Sequence, residues 1–405
     1  MKIKTFALFA LTLIIMSAQA NDSQAKNTKK AKNVILFIGD GMGPTVLTAT
    51  RLNFYGPNGQ LEVDKFPHLA KVKTHSLDDY VTDSAASATA MATGLKVNNG
   101  VIGAFKHRNG KPIEPLNQDS ILEMANKSGY ATGLVSTVEM FHATPASFYS
   151  KVKYRKMYKE ILADLAVSPV DVILGGGDRW IQNYEQNAEF TNFRVVRKKF
   201  APSLCRKNQV LGSFSPSSFP FLPGRDKNHI SLPQMTELAL NCMAEKKKKG
   251  FFLMVESGRI DQALHARKIP EALYETQELN QTIAQTIQYL KNKNQLKDTL
   301  ILVTADHDTG GLAINGPIGV PKKLVKRNSE GRYASLVTKH YSGKGPDFEV
   351  LRLSTDRTDI RNLPMATHTG TDVNLYGMGP GSEKVSGTLQ NTDIFGIMKS
   401  ALDIK

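Results

Sequence analysis

The amino-acid sequence predicts an α/β sandwich with a mostly parallel central sheet. Apolar runs rich in Val, Ile, Leu and Phe end at Ile38, Val255 and Val303, and continuous runs of this kind are typical of strands buried on both faces of a parallel sheet. Helical patterns separate these runs, and an acidic residue follows each run within a few positions. Ligands bind outside the carboxyl ends of parallel strands, so the pattern also predicts one site assembled from several strand ends.

The N-terminal half contains regularly alternating elements. The first strand reaches Asp40, and the chain turns through Gly41 and Gly43 into a helix expected near residues 45–53. A second helix is expected from Ser84, where a run of small residues allows a backbone or a ligand to approach closely. The other elements expected here are helices near 120–127 and 157–166 and strands at 130–136 and 171–174. This alternation is that of an α/β sandwich.

The C-terminal half contains two segments that interrupt the alternation. Residues 178–232 are rich in Pro, Ser, Asn and basic residues, which indicates an excursion over the sheet rather than a second domain, and residues 310–365 form a second excursion. The elements expected around them are helices near 233–246 and 270–292 and strands ending at Glu256 and Asp306. We therefore expect residues 33–405 to form a single domain.

Residues 1–20 have the pattern of a secretory signal peptide. Lys2 and Lys4 precede a short apolar stretch, and Ala18 to Ala20 form a small-residue cleavage pattern. No later segment approaches the roughly 18 uninterrupted apolar residues that a spanning helix requires. We expect cleavage near Ala20, export to the periplasm or the extracellular space, and a flexible segment at residues 21–32.

Charge and cysteine content limit the function without deciding it. The formal net charge of +15 becomes +13 when Lys2 and Lys4 leave with the signal peptide. A basic chain can attract nucleic acid, anionic membrane surfaces or small anionic substrates.

Cys205 and Cys242 are the only two cysteines, and an exported chain could join them in a disulfide. Sequence alone does not show whether their side chains approach each other, so the pairing stays open.

Acidic and histidine side chains after the predicted strands are candidate metal ligands. Asp40, Asp306 and His307 each follow a strand, while Asp261 and His265 are four residues apart and would share one face of a helical turn. Mixed carboxylate and imidazole ligands suit Zn²⁺, whereas all-oxygen sets suit Mg²⁺ or Ca²⁺. A single Asp after a strand is usually a turn former or a helix cap, so it is their joint occurrence at strand ends that predicts a metal site.

Ser84 has two interpretations. A serine before an Ala-rich helix is most often an N-cap that accepts a backbone hydrogen bond. The alternative is a nucleophile at the positive end of the helix, where backbone amides help to hold a phosphoryl group. Such a hydroxyl needs activation by a base or a metal ion, and the predicted site offers a metal ion.

Five segments closely resemble sequences of the alkaline phosphatase family. They occur in the order found in that family and span nearly the whole mature chain: Ile38–Gly43, Thr82–Ala90, Val255–Asp261 with His265, Thr304–His307 and Thr367–Gly370. The resemblance implies a three-layer α/β/α fold and the hydrolysis of phosphate monoesters. It further implies small phosphate monoester substrates, no specific nucleic-acid partner and no stable membrane span, and it is compatible with a homodimer.

The resemblance also implies a site with two zinc ions and one magnesium ion. The residues that match ligands of the first zinc are Asp261, His265 and His368. Those that match ligands of the second zinc are Asp40, Asp306 and His307. Asp40 would bridge to the magnesium ion, which Thr144 and Glu256 complete.

Three further residues gain roles from the resemblance. Ser84 matches the nucleophile that becomes phosphorylated and that also contacts the second zinc, and Arg155 matches the arginine that clamps phosphate. A planar guanidinium can hold two phosphate oxygens at once, which a lysine cannot do. His142 stands beside the magnesium position, where family members carry either Asp or His, and Gln262 stands where relatives carry Lys, His or another residue. These two positions leave the metal preference of the third site open.

Two alternatives belong to other functional classes. A phosphodiesterase or another phosphoryl hydrolase of the same superfamily could use a similar zinc pair with a different pocket, but Ser84, the magnesium set and Arg155 favour monoesters. A basic nucleic-acid or surface-binding protein with structural metals would bind polyanions in a strongly salt-dependent way and show no turnover. Structural zinc sites are usually closed and often rich in Cys, and neither cysteine lies in a metal motif. The sequence therefore favours an exported phosphomonoesterase.

Overall fold

The computed structural model describes residues 30–105, 114–186, 190, 192–315 and 364–405, together with the short segments 326–327, 333–334, 349–351 and 357–358. The predicted signal peptide and most of the predicted flexible segment at 21–32 lie outside these residues. Most of the second predicted excursion, at 310–365, also lies outside them.

Ten strands form the central sheet of the described residues, and nine of them run in the same direction. In chain order they are β1 (Asn33–Gly39), β2 (His68–Lys73), β3 (Ala131–Glu139), β4 (Val172–Gly176), β5 (Phe193–Val196), β6 (Gln209–Ser213), β7 (Phe251–Ser257), β8 (Thr299–Thr304), β9 (Val373–Met378) and β10 (Gly387–Gln390). Their order across the sheet is β10-β2-β9-β8-β1-β7-β3-β4-β6-β5, and β9 is antiparallel to both of its neighbours. The prediction of a mostly parallel central sheet is confirmed.

The three apolar runs noted in the sequence form neighbouring strands at the centre of this sheet. Every residue of β1, β7 and β8 is buried, as expected for strands that are covered on both faces. Ile38 of β1 pairs with Thr304 of β8 on one side and with Glu256 of β7 on the other. This register places the carboxyl ends of the three strands side by side.

Helices pack on both sides of the sheet and complete the three-layer α/β/α fold. They are α1 (Pro44–Tyr55), α2 (Ser84–Thr93), α3 (Ile121–Lys127), α4 (Ala143–Ala146), α5 (Tyr158–Val167), α6 (Asp178–Gln186), α7 (Leu232–Glu245), α8 (Arg259–His265), α9 (Ile269–Asn292) and α10 (Asn391–Ala401). One group consists of α9 packed against α1, α7 and α8, and the other of α10 packed against α2 and α3. Among the described helices, none combines the length and the apolar character needed to cross a membrane.

Short turns and ribbons complete the described structure. The 3₁₀ turns are Glu62–Lys65, Pro202–Arg206, Leu296–Asp298 and Ser382–Lys384. The two-stranded ribbons pair Ala104–Phe105 with Glu114–Pro115, Asp308–Thr309 with His368–Thr369, Ala313–Asn315 with Glu349–Leu351, Lys326–Arg327 with Tyr333–Ala334, and Arg357–Thr358 with Pro364–Met365. The ribbon of Asp308–Thr309 with His368–Thr369 brings two distant parts of the chain together at the end of β8.

The segment 178–232 contributes directly to the sheet. It contains α6 and the strands β5 and β6, which extend the sheet beyond β4. These strands have only four and five residues, so they lack the long apolar run that marks the central strands in the sequence. Cys205 in this segment forms a disulfide with Cys242 of α7, across a Cα–Cα distance of 5.3 Å. The bond ties the edge of the sheet to a helix that packs on it.

Candidate active site

The first cluster of candidate ligands lies at the ends of β1 and β8. Oδ1 of Asp40 and Oδ2 of Asp306 are 3.5 Å and 3.2 Å from Nε2 of His307. All three side chains are fully buried, and their ligand atoms lie within 4.8 Å of one another. The backbone amides of Gly41 and His307 both donate to Oδ1 of Asp306, which leaves Oδ2 directed at the cluster. These are the three residues predicted to hold the second zinc.

A second cluster contains the three residues predicted to hold the first zinc. Nε2 of His265 and Nε2 of His368 lie 3.3 Å and 3.5 Å from Oδ1 of Asp261, and 3.0 Å from each other. Nδ1 of His265 donates to the carbonyl of Ala366 at 2.6 Å, and Nδ1 of His368 donates to the carbonyl of Thr82 at 2.9 Å. Both rings therefore direct Nε2 toward Asp261, which is the orientation that a metal ligand needs.

The two clusters are adjacent. The rings of His307 and His368 stack with their centroids 3.6 Å apart, and Asp261, His307 and His368 themselves bring three ligand atoms within 4.8 Å of one another. Asp261 and His265 lie on one face of α8, as their spacing predicts. Residues from four separate parts of the sequence thus meet at one edge of the sheet.

A third group includes the residues predicted for magnesium. Asp40, His142 and Glu256 place one ligand atom each within 4.8 Å of the others. Burial raises the pKa of Glu256 to about 8, although the hydrogen bond from Ser136 and the nearby hydroxyl of Thr144 act in the opposite direction. Burial, and next the positive charge of Arg155, lower the pKa of His142 to about 4. The imidazole of His142 is therefore neutral near pH 7.

Burial and mutual repulsion dominate the electrostatics of these carboxylates. Burial raises the pKa of Asp40 well above its usual range, and the neighbouring Asp306 and Asp261 add to the effect. Burial likewise raises the pKa of Asp306 to about 6. Gathering several ionised carboxylates away from water costs several kcal/mol each unless a cation compensates them.

Unpartnered atoms in the first and third groups indicate which class of cation would compensate these charges. Among the described residues, the buried atoms without a hydrogen-bond partner include both oxygens of Asp40, Oδ2 of Asp306, Oε1 of Glu256 and Nδ1 of His142. Buried polar atoms in native proteins are nearly always paired, so a set of such atoms facing one another requires an explanation. Carboxylate oxygens mixed with imidazole nitrogens are suitable ligands for zinc, and carboxylates with a hydroxyl are suitable for magnesium. The residues present therefore fit divalent metal ions.

Ser84 is the first residue of α2 and lies beside the first cluster. Its Oγ is 3.2 Å from Nε2 of His307, and the side chain is 1% exposed. The N-cap of α2 is Asp83, whose carboxylate accepts a hydrogen bond from the amide of Ala86. Because Asp83 is the cap, the interpretation of Ser84 as the N-cap is wrong, and the Ser84 hydroxyl is available for another role.

Arg155 reaches the same site from the loop before α5. Its Nη1 donates to Oδ2 of Asp83 at 2.9 Å, and its Nη2 donates to Nε2 of His142 at 3.4 Å. Asp83 thus caps the helix that carries Ser84 and also orients the guanidinium. Sequence reasoning gave Asp83 no role, although its place directly before the candidate nucleophile and its capping pattern were visible.

Two other residues that sequence reasoning missed connect the site to its surroundings. Ser87, one turn into α2, donates to the carbonyl of Asp306 at 2.7 Å, and Ser136 of β3 donates to Oε2 of Glu256 at 2.5 Å. Serines within an Ala-rich helix or an apolar strand give no sequence signal of such contacts. Gln262 lies on α8 and bonds to Arg259 and to Ser218.

Comparison with known proteins agrees with this geometry. The family model described as alkaline phosphatase matches residues 31–203 and 197–404. Alkaline phosphatase 4 of Bacillus subtilis is 35% identical, with 94% of this chain and 92% of that protein covered, and the alkaline phosphatase of Escherichia coli is 30% identical, with 93% and 87% covered. The structure of the alkaline phosphatase from the Antarctic bacterium TAB5 superposes with a TM-score of 0.74 at 27% identity, covering 94% of this chain and all of that one.

Proposed function

The chain belongs to the alkaline phosphatase family and is a phosphoric monoester hydrolase, and we propose that it acts through a covalent phosphoserine at Ser84 with two zinc ions and one magnesium ion. One observation carries the proposal: the Ser84 hydroxyl lies 3.2 Å from Nε2 of His307, beside buried oxygens of Asp40 and Asp306 that have no hydrogen-bond partner. A hydroxyl at a helix N-terminus next to a cation site has the surroundings that an anionic phosphoryl group requires.

The proposed reaction has two balanced steps. Oγ of Ser84 gives up its proton and attacks phosphorus, the bond from phosphorus to the ester oxygen breaks, and the alcohol leaves with the electrons of that bond and takes up one proton, so that the number of protons is unchanged. Water then attacks the phosphoserine, the bond to Oγ breaks, and inorganic phosphate leaves while the hydroxyl of Ser84 is restored. Covalent catalysis of this kind divides one difficult displacement into two easier ones.

In this proposal, each metal ion has its own set of candidate ligands. Asp261, His265 and His368 would hold one zinc ion and Asp40, Asp306 and His307 the other, while Asp40, Thr144 and Glu256 would hold magnesium. Bound there, the metal ions would neutralise charge on the phosphoryl group and favour ionisation of the entering oxygen and departure of the leaving oxygen.

Arg155 and His142 supply the proposed substrate contacts. The guanidinium is held by Asp83 and faces His142, so its fork is already oriented before a phosphate arrives. Burial alone would lower the pKa of Arg155, but the negative charges of Asp83, Asp40 and Asp261 raise it above its ordinary value. A permanently charged, planar group with a fixed orientation suits two oxygens of a phosphate dianion.

Replacing Ser84 by alanine tests the proposal. We expect Ser84→Ala to lose the covalent phosphoenzyme and most turnover of nitrophenyl phosphate, with zinc content and thermal unfolding unchanged. The matched control is Thr93→Val, which removes another buried hydroxyl of α2, one that bonds to the carbonyl of Thr89 in the same helix, and it should still form phosphoenzyme. Phosphoserine at another position of Ser84→Ala, at the normal level, would contradict the assignment.

Substrate class, location and assembly complete the proposal. We expect kcat/KM for nitrophenyl phosphate to exceed that for its bis-ester by a large factor, and a ratio near or below one would point to a diesterase.

The Met1 to Ala20 pattern supports export, which a mature N-terminus near Asn21 in the periplasm or medium would verify. Homodimer formation is proposed from the family alone, and the mass measured in solution decides it.

A further inference from the structure

Thr309 places a single buried hydroxyl between the two zinc ligand sets. Its Oγ1 lies 2.6 Å from Oδ1 of Asp261 and 3.3 Å from Nδ1 of His307. The residue is fully buried and belongs to the ribbon in which it pairs with His368. The hydroxyl therefore contacts one proposed ligand of each zinc ion, and its backbone pairs with another.

The position of Thr309 is fixed from several directions. Its amide donates to the carbonyl of Gly41 at 3.2 Å, and the turn after β1 passes directly over its side chain. A Cβ at Gly41 would come within 2.7 Å of Oγ1 of Thr309 and 3.0 Å of the Asp261 backbone. Gly41 also has a φ of +70°, which glycine adopts most readily. The hydroxyl consequently has little freedom to move away from its two partners.

The Thr309 hydroxyl has two neighbours, Asp261 and His307, but only one hydrogen to donate. A hydroxyl has one hydrogen to donate and two lone pairs that accept. A carboxylate oxygen only accepts, so at 2.6 Å the Thr309 hydrogen goes to Asp261. The oxygen of Thr309 then faces His307 as an acceptor, and this arrangement favours the tautomer in which the hydrogen of that imidazole lies on Nδ1. Nε2 of His307 is left with a lone pair directed toward Asp40, Asp306 and Ser84.

We propose that Thr309 is a positioning residue that fixes the tautomer of His307 and the orientation of Asp261, and so couples the two zinc sites. The inference rests on the proposed function, since it concerns the same metal centre. His265 and His368 obtain the same tautomer from backbone carbonyls. His307 depends on a side chain instead, so its tautomer can be changed by a single substitution.

Three variants separate this role from simple packing. Thr309→Val keeps the shape and removes the hydroxyl, whereas Thr309→Ser keeps the hydroxyl and removes the methyl group. The matched control is Thr304→Val, because the Thr304 hydroxyl is equally buried at the end of β8 but bonds to the backbone carbonyls of Ala305 and Asn374. All three lose a small group from the interior, and only Thr309→Val loses the contact with the ligands.

Two measurements are made on the full chain. Zinc affinity is obtained by competition with a chelator, and the protonated nitrogen of His307 is identified in metal-free protein by ¹⁵N NMR of the imidazoles. We expect Thr309→Val to bind zinc about 10- to 100-fold more weakly, as is typical when a group that orients a metal ligand is lost. We expect its His307 to lose the preference for the Nδ1–H tautomer, and Thr309→Ser and Thr304→Val to resemble the wild type in both respects.

Two results would overturn the inference. One is a wild-type His307 that carries its hydrogen on Nε2, and the other is a folded Thr309→Val that binds zinc as tightly as the wild type. If Thr309→Val does not fold, the tautomer in the wild type and in Thr309→Ser still decides. Neither measurement requires turnover, so absence of phosphatase activity would refute the proposed function and leave the role of Thr309 to be judged separately.

Discussion

Arg225 forms a buried ion cluster with two glutamates of α9, and its removal should destabilise the protein in a pH-dependent way. The side chains of Arg225, Glu275 and Glu278 are 3%, 0% and 7% exposed. Nη2 of Arg225 lies 3.0 Å from both oxygens of Glu275, and Nη1 lies 2.9 Å from both oxygens of Glu278. The guanidinium thereby fixes the loop after β6 to the longest helix of the described structure.

The substitution Arg225→Met keeps most of the apolar stem and leaves two buried carboxylates without a cation. Breaking a buried ion pair by removing one partner costs about 3–5 kcal/mol, because the remaining charge stays desolvated. In a protein of this size, one kcal/mol corresponds to about 1.2 °C in Tm, so we expect a decrease of about 4–6 °C near neutral pH. Phosphatase activity at low temperature should persist, since Arg225 is not a candidate ligand or substrate contact.

The pH dependence follows from Glu275. Burial is the largest cause of the shift and raises the pKa of Glu275 from 4.5 to about 7. The charge of Arg225 lowers this pKa, and the charge of Glu278 raises it. A carboxyl group whose pKa is higher in the folded state contributes stability that is fully present below its unfolded pKa and is lost as the pH rises through its folded pKa. Without Arg225 the folded pKa rises further, so protonation relieves more of the penalty at acidic pH.

The assay is urea unfolding of the metal-loaded wild type and variant at about pH 5.5 and about pH 8. The loss of unfolding free energy in Arg225→Met should be larger at the higher pH. The control is Arg206→Met, because Arg206 pairs with Glu245 while its own side chain is 57% exposed, and exposed pairs contribute about 1 kcal/mol or less. An Arg225→Met protein as stable as wild type, or one destabilised more at pH 5.5, would refute the reasoning.

Three further predictions concern the site. Arg155→Ala should raise the inhibition constant of inorganic phosphate about 10- to 100-fold, since each lost charge-assisted hydrogen bond contributes about 1.5–3 kcal/mol; an unchanged constant would count against the clamp. Chelation of the metal ions should lower Tm, because Asp40, Asp306 and Glu256 lose their counter-charge, and zinc with magnesium should restore it; a Tm insensitive to chelator would remove the metal assignment. With a formal net charge of +15, added salt should lower kcat/KM for anionic esters, and a flat response would exclude electrostatic capture.

Local patterns explain why much of the fold could be predicted. The strands β1, β7 and β8 are marked by apolar runs in the sequence. An apolar run followed by an acidic residue predicts both the strand and the position of the acidic side chain at its carboxyl end. Asp261 and His265 are four residues apart, so helix geometry alone puts them on one face of α8. Parallel pairing then brings the strand ends together, as the register of Ile38 with Thr304 and Glu256 shows.

Non-local contacts explain what could not be predicted. Arg155 and Asp83 are 72 residues apart, and Thr309 and Asp261 are 48 apart, so no periodicity connects them. The strands β5 and β6 gave no clear signal because short edge strands need few apolar residues, and their place is set by pairing with β4. Residue type alone likewise could not show that Cys205 and Cys242 approach each other.

The distance between the Ser84 hydroxyl and Nε2 of His307 depends on such non-local contacts. Helix α2 carries Ser84 and is joined to the end of β8 through side chains: Ser87 bonds to the carbonyl of Asp306 and is itself held by Asn391 of α10 at 3.2 Å. A nucleophile must be placed within a few tenths of an ångström, because small displacements reduce the rate strongly. Sequence motifs therefore predict which residues react, whereas buried hydroxyls and capping carboxylates that no motif singles out set the distances between those residues.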